Sequence, residues 1–379
     1  MKYTEESLRD FGTIIGRLMS GDDLSREDCR DGFAELLLDR QPALQQGAFL
    51  AALKAKGETA EELAGAWEAI AAHDTVRVEL PRGLKVCENS GTGMDRIKTF
   101  NASTAASLVA AAGGVPMARH GSRALTSTCG TVDILESLGV PVELAPEEAA
   151  RSLESAGITL FNGMSERVHP RALFRILSRI RFGSTLNIAA SLASPCSPSW
   201  GVRGVYDPSL VPTVVELMEG IGYERSIVLH GFDDEGTPGV DEVSLEGATL
   251  VMEKRAGRES DRFTLYPEDF GIARRSLNEV RSLPSLKAER DRFLKVVAGK
   301  GAPGPTDFTV VNAAVIFVCA GLDADYIGGA KRARDILSGG KALKTLAGWV
   351  ASGHDEGMAI LETAAREAGC EEELAGAVG

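Results

Sequence analysis

Apolar residues recur at helical intervals through the first 72 positions. Phe33, Leu36 and Leu37 make one stripe, Phe49, Leu50 and Leu53 a second, and Trp67 and Ile70 continue it. Ser25 ahead of Asp28 and Thr59 ahead of Glu62 have capping-box spacing, so residues 1–72 read as helices only. From Thr75 the period changes. TVRVEL (75–80) alternates like a half-buried strand, and residues 84–87 predict a short buried one. Further strands are predicted at 115–118, 158–161, 202–205 and 227–229. They alternate with helices at 101–112, from 130, and at 147–155, 171–181 and 209–221. Such alternation predicts an α/β fold with a mostly parallel sheet, helices on both faces, and ligands beyond the carboxyl ends of the strands. After Arg258 the pattern turns helical, with segments at 285–298, 306–320, 332–337 and 341–351 and a tail from about 358.

The most informative stretch is 88–136. Gly91-Thr92-Gly93-Met94-Asp95 is a loop after a strand, Asn101-Ala102-Ser103-Thr104 opens a helix of small residues, and Arg119-His120-Gly121-Ser122 leaves the next strand. Gly130-Thr131 opens a second helix carrying Asp133. Glycines let backbone N–H groups point at oxygens, and two helix N-termini, near Ser103 and Thr131, add unpaired donors. Arg96, Lys98 and Arg119 supply full charges suited to phosphate. The array reads as an anion cradle, although its spacing is neither GxGxxG nor GxxxxGK[ST]. The bland alternative is a pair of ordinary capped helices with glycines serving as turns.

Composition narrows the class. A chain of 379 residues with 44% hydrophobic and 25% charged residues can bury a large core. No apolar run reaches membrane-spanning length, and the acidic, amphipathic start is not a secretory signal. Six scattered cysteines without CxxC spacing argue against a zinc site or disulfide framework and predict a cytoplasmic protein. A net charge of −13 argues against nucleic acid as a partner.

At these residues the sequence resembles the anthranilate phosphoribosyltransferases and, more distantly, the pyrimidine nucleoside phosphorylases of the same superfamily. The signatures GTGGD, TFNxST, KHGN and GSxD stand here as residues 91–95, 99–104, 119–122 and 130–133, in order and without gaps. A DE pair, Asp241-Glu242, follows Val228-Leu229-His230-Gly231 as in the family, and Asn312-Ala313-Ala314 and Gly340-Lys341-Ala342-Leu343 extend the likeness. The resemblance implies a small N-terminal helical domain (1–74, joined by helices within about 170–195), through which homodimers form. It also implies a larger α/β domain (75–379) with a helical C-terminal region.

The implied reaction is Mg²⁺-dependent displacement of pyrophosphate from phosphoribosyl pyrophosphate by a small aromatic amine, with anthranilate leading. Gly91, Thr92, Gly93, Asp95, Thr99, Asn101, Ser103, Thr104, Arg119, Thr126 and Ser127 would bind the donor. Gly91, Ser122, His169 and Arg179 would bind the acceptor, and Ser103, Asp241 and Glu242 would hold Mg²⁺, a hard cation suited to carboxylates. Departures fall on the acceptor side. Met94 replaces a glycine, Arg96 follows Asp95 where glycine is usual, Ser122 replaces an asparagine, and residues 184–195 differ. Ile188-Ala189-Ala190-Ser191 resembles the phosphorylase branch, which is the alternative reading; a silent binding protein is a further one.

Overall fold

A computed structural model describes residues 3–124, 129–180, 182–353 and 355–378. Four helices come first: α1 (Glu5–Met19), α2 (Arg26–Leu37), α3 (Ala43–Lys56) and α4 (Ala60–His73). Ser25 caps α2, accepting the Asp28 N–H, and Thr59 with Glu62 forms the full capping box of α4. The predicted apolar stripes close one hydrophobic cluster, in which Phe33, Phe49 and Leu53 are wholly buried.

The sheet follows. Its strands are β1 (Cys87–Gly91), β2 (Met117–Gly121), β3 (Ile158–Asn162), β4 (Trp200–Gly204), β5 (Arg225–Phe232), β6 (Pro238–Val240), β7 (Thr249–Arg255) and β8 (Asp261–Leu265). Their order is β3-β2-β1-β4-β5-β7-β8. The first five run parallel, β7 and β8 add antiparallel strands at one edge, and β6 pairs with β5. Between strands lie α5 (Ala102–Ala112), α6 (Thr131–Ser137), α7 (Pro146–Ala156), α8 (Leu173–Ile180), α9 (Leu186–Ala189) and α10 (Leu210–Ile221). The C-terminal part is α11 (Leu286–Val297), α12 (Pro303–Cys319), α13 (Tyr326–Ser338), α14 (Lys341–Ala351), α15 (Asp355–Ala368) and α16 (Glu371–Val378). This is the small helical part, larger mostly parallel α/β part and helical C-terminal region expected from the pattern.

Three local expectations are corrected. TVRVEL is extended but joins no ladder, because its alternate N–H groups go to separate loops: Val76 to Val168 O and Val78 to Pro195 O, each at 3.0 Å. The strand placed at 84–87 begins only at Cys87 and runs to Gly91, so the glycine loop starts within it. The chain also does not turn helical directly after Arg258. Asp261–Leu265 is an edge strand whose exposed, charged side chains hide the usual hydrophobic alternation.

Between β3 and β4 the chain leaves the sheet for the helical bundle. Ala172, Leu173, Ile176, Leu186 and Ala189 belong to the bundle's hydrophobic cluster. Asp74, at the end of α4, caps this excursion, its carboxylate accepting the N–H groups of Arg171, Ala172 and Leu173 at 2.6, 3.0 and 2.7 Å. Under the sheet's centre Arg203 of β4 and Glu88 of β1 form a fully buried ion pair at 2.8 Å, completed by the Tyr223 hydroxyl donating to Glu88 at 2.8 Å.

Candidate active site

Beyond the carboxyl ends of β1, β2 and β3 the loops enclose a cavity of about 290 Å³. Gly91 ends β1 against the chain segment 241–242. A Cβ built on Gly91 would lie 2.2 Å from Asp241 Oδ2, so only glycine lets this carboxylate settle on the strand end. The Gly93 N–H then donates to Asp241 Oδ2 at 2.7 Å, and Thr99 Oγ1 donates to Glu242 Oε2 at 3.1 Å. Thr92 ties the loop to β4, its N–H donating to Gly204 O at 3.0 Å and its hydroxyl accepting the Tyr206 N–H at 3.1 Å.

Asp95 joins the pair. Oxygens of Asp95, Asp241 and Glu242 lie within 4.8 Å of one another, and all three residues are buried. Among the described residues their near cation is Lys98, 2.8 Å from Asp95 Oδ1. Burial, then the Asp241 charge, pushes Asp95 up to about 7. Burial raises Asp241 as well, and burial with both neighbours holds Glu242 well above the usual carboxylate range. Three crowded, dehydrated carboxylates with one lysine leave an excess of negative charge. Hard oxygen ligands in this number fit Mg²⁺, which takes a few carboxylates and completes its shell with substrate oxygens and water.

The opposite wall is made of helix N-termini. Asn101 precedes α5, its side chain donating to Cys129 O at 3.4 Å, and Gly130 precedes α6. Asp133 accepts the N–H groups of Ala124 and Gly130 at 2.9 Å each. Arg119 lies in β2, fully buried, and its fork binds Ser103 O, Ser107 Oγ (2.7 Å), Ser103 Oγ (3.4 Å) and Thr131 Oγ1 (3.4 Å). Burial draws its pKa down to about 10, still charged at neutral pH. It clamps the starts of α5 and α6 together, with Thr104 and Thr131 hydroxyls 3.3 Å apart beside it.

His120 lines the cavity, and its Nε2 stands 3.0 Å from Nε2 of His169. The outer nitrogens face backbone carbonyls: His120 Nδ1 faces Ser191 O at 3.2 Å, and His169 Nδ1 faces Asp74 O at 2.6 Å. Burial lowers His120 to about 4 and, with the neighbouring ring, His169 to about 3.

Of the residues singled out from sequence, Gly91, Thr92, Gly93, Asp95, Thr99, Asn101, Ser103, Arg119, Ser122, Asp241 and Glu242 all line this cavity. Thr104 lies just behind, and His169 sits behind His120. Arg179 is not brought there: it is exposed on α8, which instead presents Leu177 and Ile180 to the cavity. Arg96 is exposed and faces Asp233 at 3.9 Å. Thr126 and Ser127 lie outside the described residues. Sequence reasoning did not single out Met94, His120, Phe182 or Asn187 as site residues, though all line the cavity. The one signal available for Met94 was its bulk in a glycine loop.

Residues 84–343 match the family described as "Glycosyl transferase family, a/b domain", and residues 13–74 match "Glycosyl transferase family, helical bundle domain". The anthranilate phosphoribosyltransferase of Methanothermobacter marburgensis is 36% identical over 349 residues, covering 89% of this chain and 97% of that protein. That of Persephonella marina is 34% identical, covering 88% and 96%. Among solved structures, the anthranilate phosphoribosyltransferase of Thermus thermophilus superposes with a TM-score of 0.79 at 28% identity, covering 89% of this chain and 98% of that one. The Saccharomyces cerevisiae enzyme in complex with PRPP and Mg has the same fold, with a TM-score of 0.79 at 24% identity over 92% and 99%.

Proposed function

The chain belongs to the glycosyl transferase family, within it to the anthranilate phosphoribosyltransferases, and on that premise we propose that it transfers phosphoribose from phosphoribosyl pyrophosphate to anthranilate. The observation that carries the reading is the meeting of Asp95, Asp241 and Glu242 with a glycine loop and two helix N-termini in one cavity. Acidic groups without an anion cradle suit many hydrolases, and a cradle without acids suits simple anion binding. Their pairing suits a polyphosphate that arrives with a metal ion.

In this reading Asp95, Asp241 and Glu242 would hold Mg²⁺, which supplies charge neutralisation for the departing pyrophosphate. Backbone N–H groups at the starts of α5 and α6, with Thr99, Asn101 and Ser103, would orient the donor's phosphates, while the glycine loop, its Thr92 and Gly93 N–H groups already given to Gly204 O and Asp241 Oδ2, sets the acidic cluster beside them. Arg119 fixes the two helix starts and directs its charge at the same place. Ser122 and the His120–His169 pair flank the acceptor. The acceptor nitrogen forms its bond to the anomeric carbon as the bond to pyrophosphate breaks, and it then sheds a proton. The chain's part is therefore to hold two reactants in line and to stabilise a leaving group.

The protein would work in the cytoplasm and as a homodimer. Exposed Met19, Leu44 and Phe174 on the helical bundle support the second statement. Pyrophosphate release with phosphoribosyl pyrophosphate and Mg²⁺, with and without anthranilate, tests the function. Release that needs all three is expected. Donor hydrolysis without dependence on any aromatic amine, or cleavage of nucleosides by phosphate, would replace this reading.

A further inference from the structure

The glycine loop carries one side chain where backbone alone would serve. Met94 has φ of 69° and, with Gly93 at 66°, continues a left-handed pair. An L side chain is strained in this region because Cβ crowds its own carbonyl, and glycine would hold the same turn without that cost. The thioether has a definite seat. A Cβ built on Gly183 would lie 1.7 Å from Met94 Cε and 2.1 Å from Sδ, so Met94 rests on bare backbone between α8 and α9. With Leu177, Ile180, Phe182 and Leu186 it forms an apolar wall of the cavity, while Lys98 and Arg119 belong to the phosphate side. Arg179, which a carboxylate clamp on this wall would need, is exposed and does not line the cavity.

Resting on the phosphoribosyl-transfer reading, we propose that Met94 determines acceptor specificity. Its thioether caps the acceptor compartment against Gly183, limits the ring that fits to a small aromatic without added ring substituents, and meets that ring with sulfur and hydrocarbon. A polarizable thioether against an aromatic edge is a favourable contact, and a strained backbone at this one position is what aims it.

The test compares wild type, Met94→Ala and Met94→Gly by initial rates of pyrophosphate release, with anthranilate and with ring-methylated anthranilate. Loss of the thioether contact raises the anthranilate KM roughly five- to tenfold in both variants, with the donor KM within about twofold of wild type. Preference for the methylated ring over anthranilate, as a ratio of kcat/KM, rises roughly tenfold in both. Alanine keeps the left-handed strain and glycine releases it, so equal effects assign the role to the side chain. Unchanged KM and unchanged preference in the alanine variant overturn the proposal, as does a change confined to glycine. Wild type silent with both amines while Met94→Ala releases pyrophosphate also overturns it, the side chain then blocking the ring it was proposed to meet. Silence of every form, with donor and Mg²⁺ present, overturns the transferase reading and Met94's role with it.

Discussion

Replacing Asp241 with asparagine separates the stability of the acidic cluster from its use. The three carboxylates lie within 4.8 Å of one another. At an effective dielectric of about 20, two unit charges at that distance repel by about 3.5 kcal/mol. Without a cation the folded protein escapes part of this by taking up protons. Raising Asp95 from its ordinary 3.8 to about 7 corresponds to about 4 kcal/mol. Asp241→Asn keeps an oxygen for the Gly93 N–H and removes one charge. At pH 7.5 in EDTA it should therefore be more stable than wild type by roughly 2–4 kcal/mol. Unfolding 379 residues carries an entropy of about 0.8 kcal/mol per degree, so the melting temperature rises by about 3–5 °C. Saturating Mg²⁺ closes most of this gap. Wild type gains about 2.7 kcal/mol at a hundred times its dissociation constant, and the variant gains little. Thermal melts in EDTA and in Mg²⁺ read both effects. A variant that melts below wild type in EDTA, or gains as much from Mg²⁺, would refute the cluster's assignment.

Gly91→Ala places a Cβ 2.2 Å from Asp241 Oδ2 and must displace that carboxylate, so kcat/KM for the donor should fall about a hundredfold while circular dichroism stays native. Glu88→Ala leaves Arg203 buried without its partner and should destabilise by about 3–5 kcal/mol, read by urea denaturation. The His120 and His169 rings have folded pKa values lowered from 6.5 to about 4 and 3. The unfolded chain thus binds more protons in this window. Their contribution is complete above pH 6.5 and is lost as pH falls towards 4. Melts from pH 7.5 to 5 should show a decline that His169→Asn makes shallower, and parallel curves would contradict this.

The fold's parallel core was legible because its signals are local. α4 has a capping box, α5 a run of small residues after Asn101, and β3 and β5 short apolar runs behind glycine or after a helix. β8 was hidden because an edge strand needs only one buried face and fills the other with polar groups, as Arg262 and Thr264 do, and here the buried face itself opens with exposed Asp261. Within the site, the loop and the DE pair announced themselves by residue type. That Asp95 completes a triad with them is a fact of tertiary distance: 146 residues separate it from Asp241. Arg179 shows the converse. Spacing put it on the right helix, but α8 is turned so that Leu177 and Ile180 face the cavity.

The excursion of the chain into the helical bundle has a mechanical meaning. Three crossings join bundle to sheet: the segment after α4, the one before α8 and the one after α9. The bonds of Val76 to Val168 and of Val78 to Pro195 lace these crossings side by side, and Asp74 pins the first to the start of α8. A body held by three laced strands cannot slide or twist freely. Met94, on the sheet side of these crossings, touches Gly183 on the bundle side. The apolar wall is thereby placed against the acidic cluster by contacts that lie outside the reacting groups.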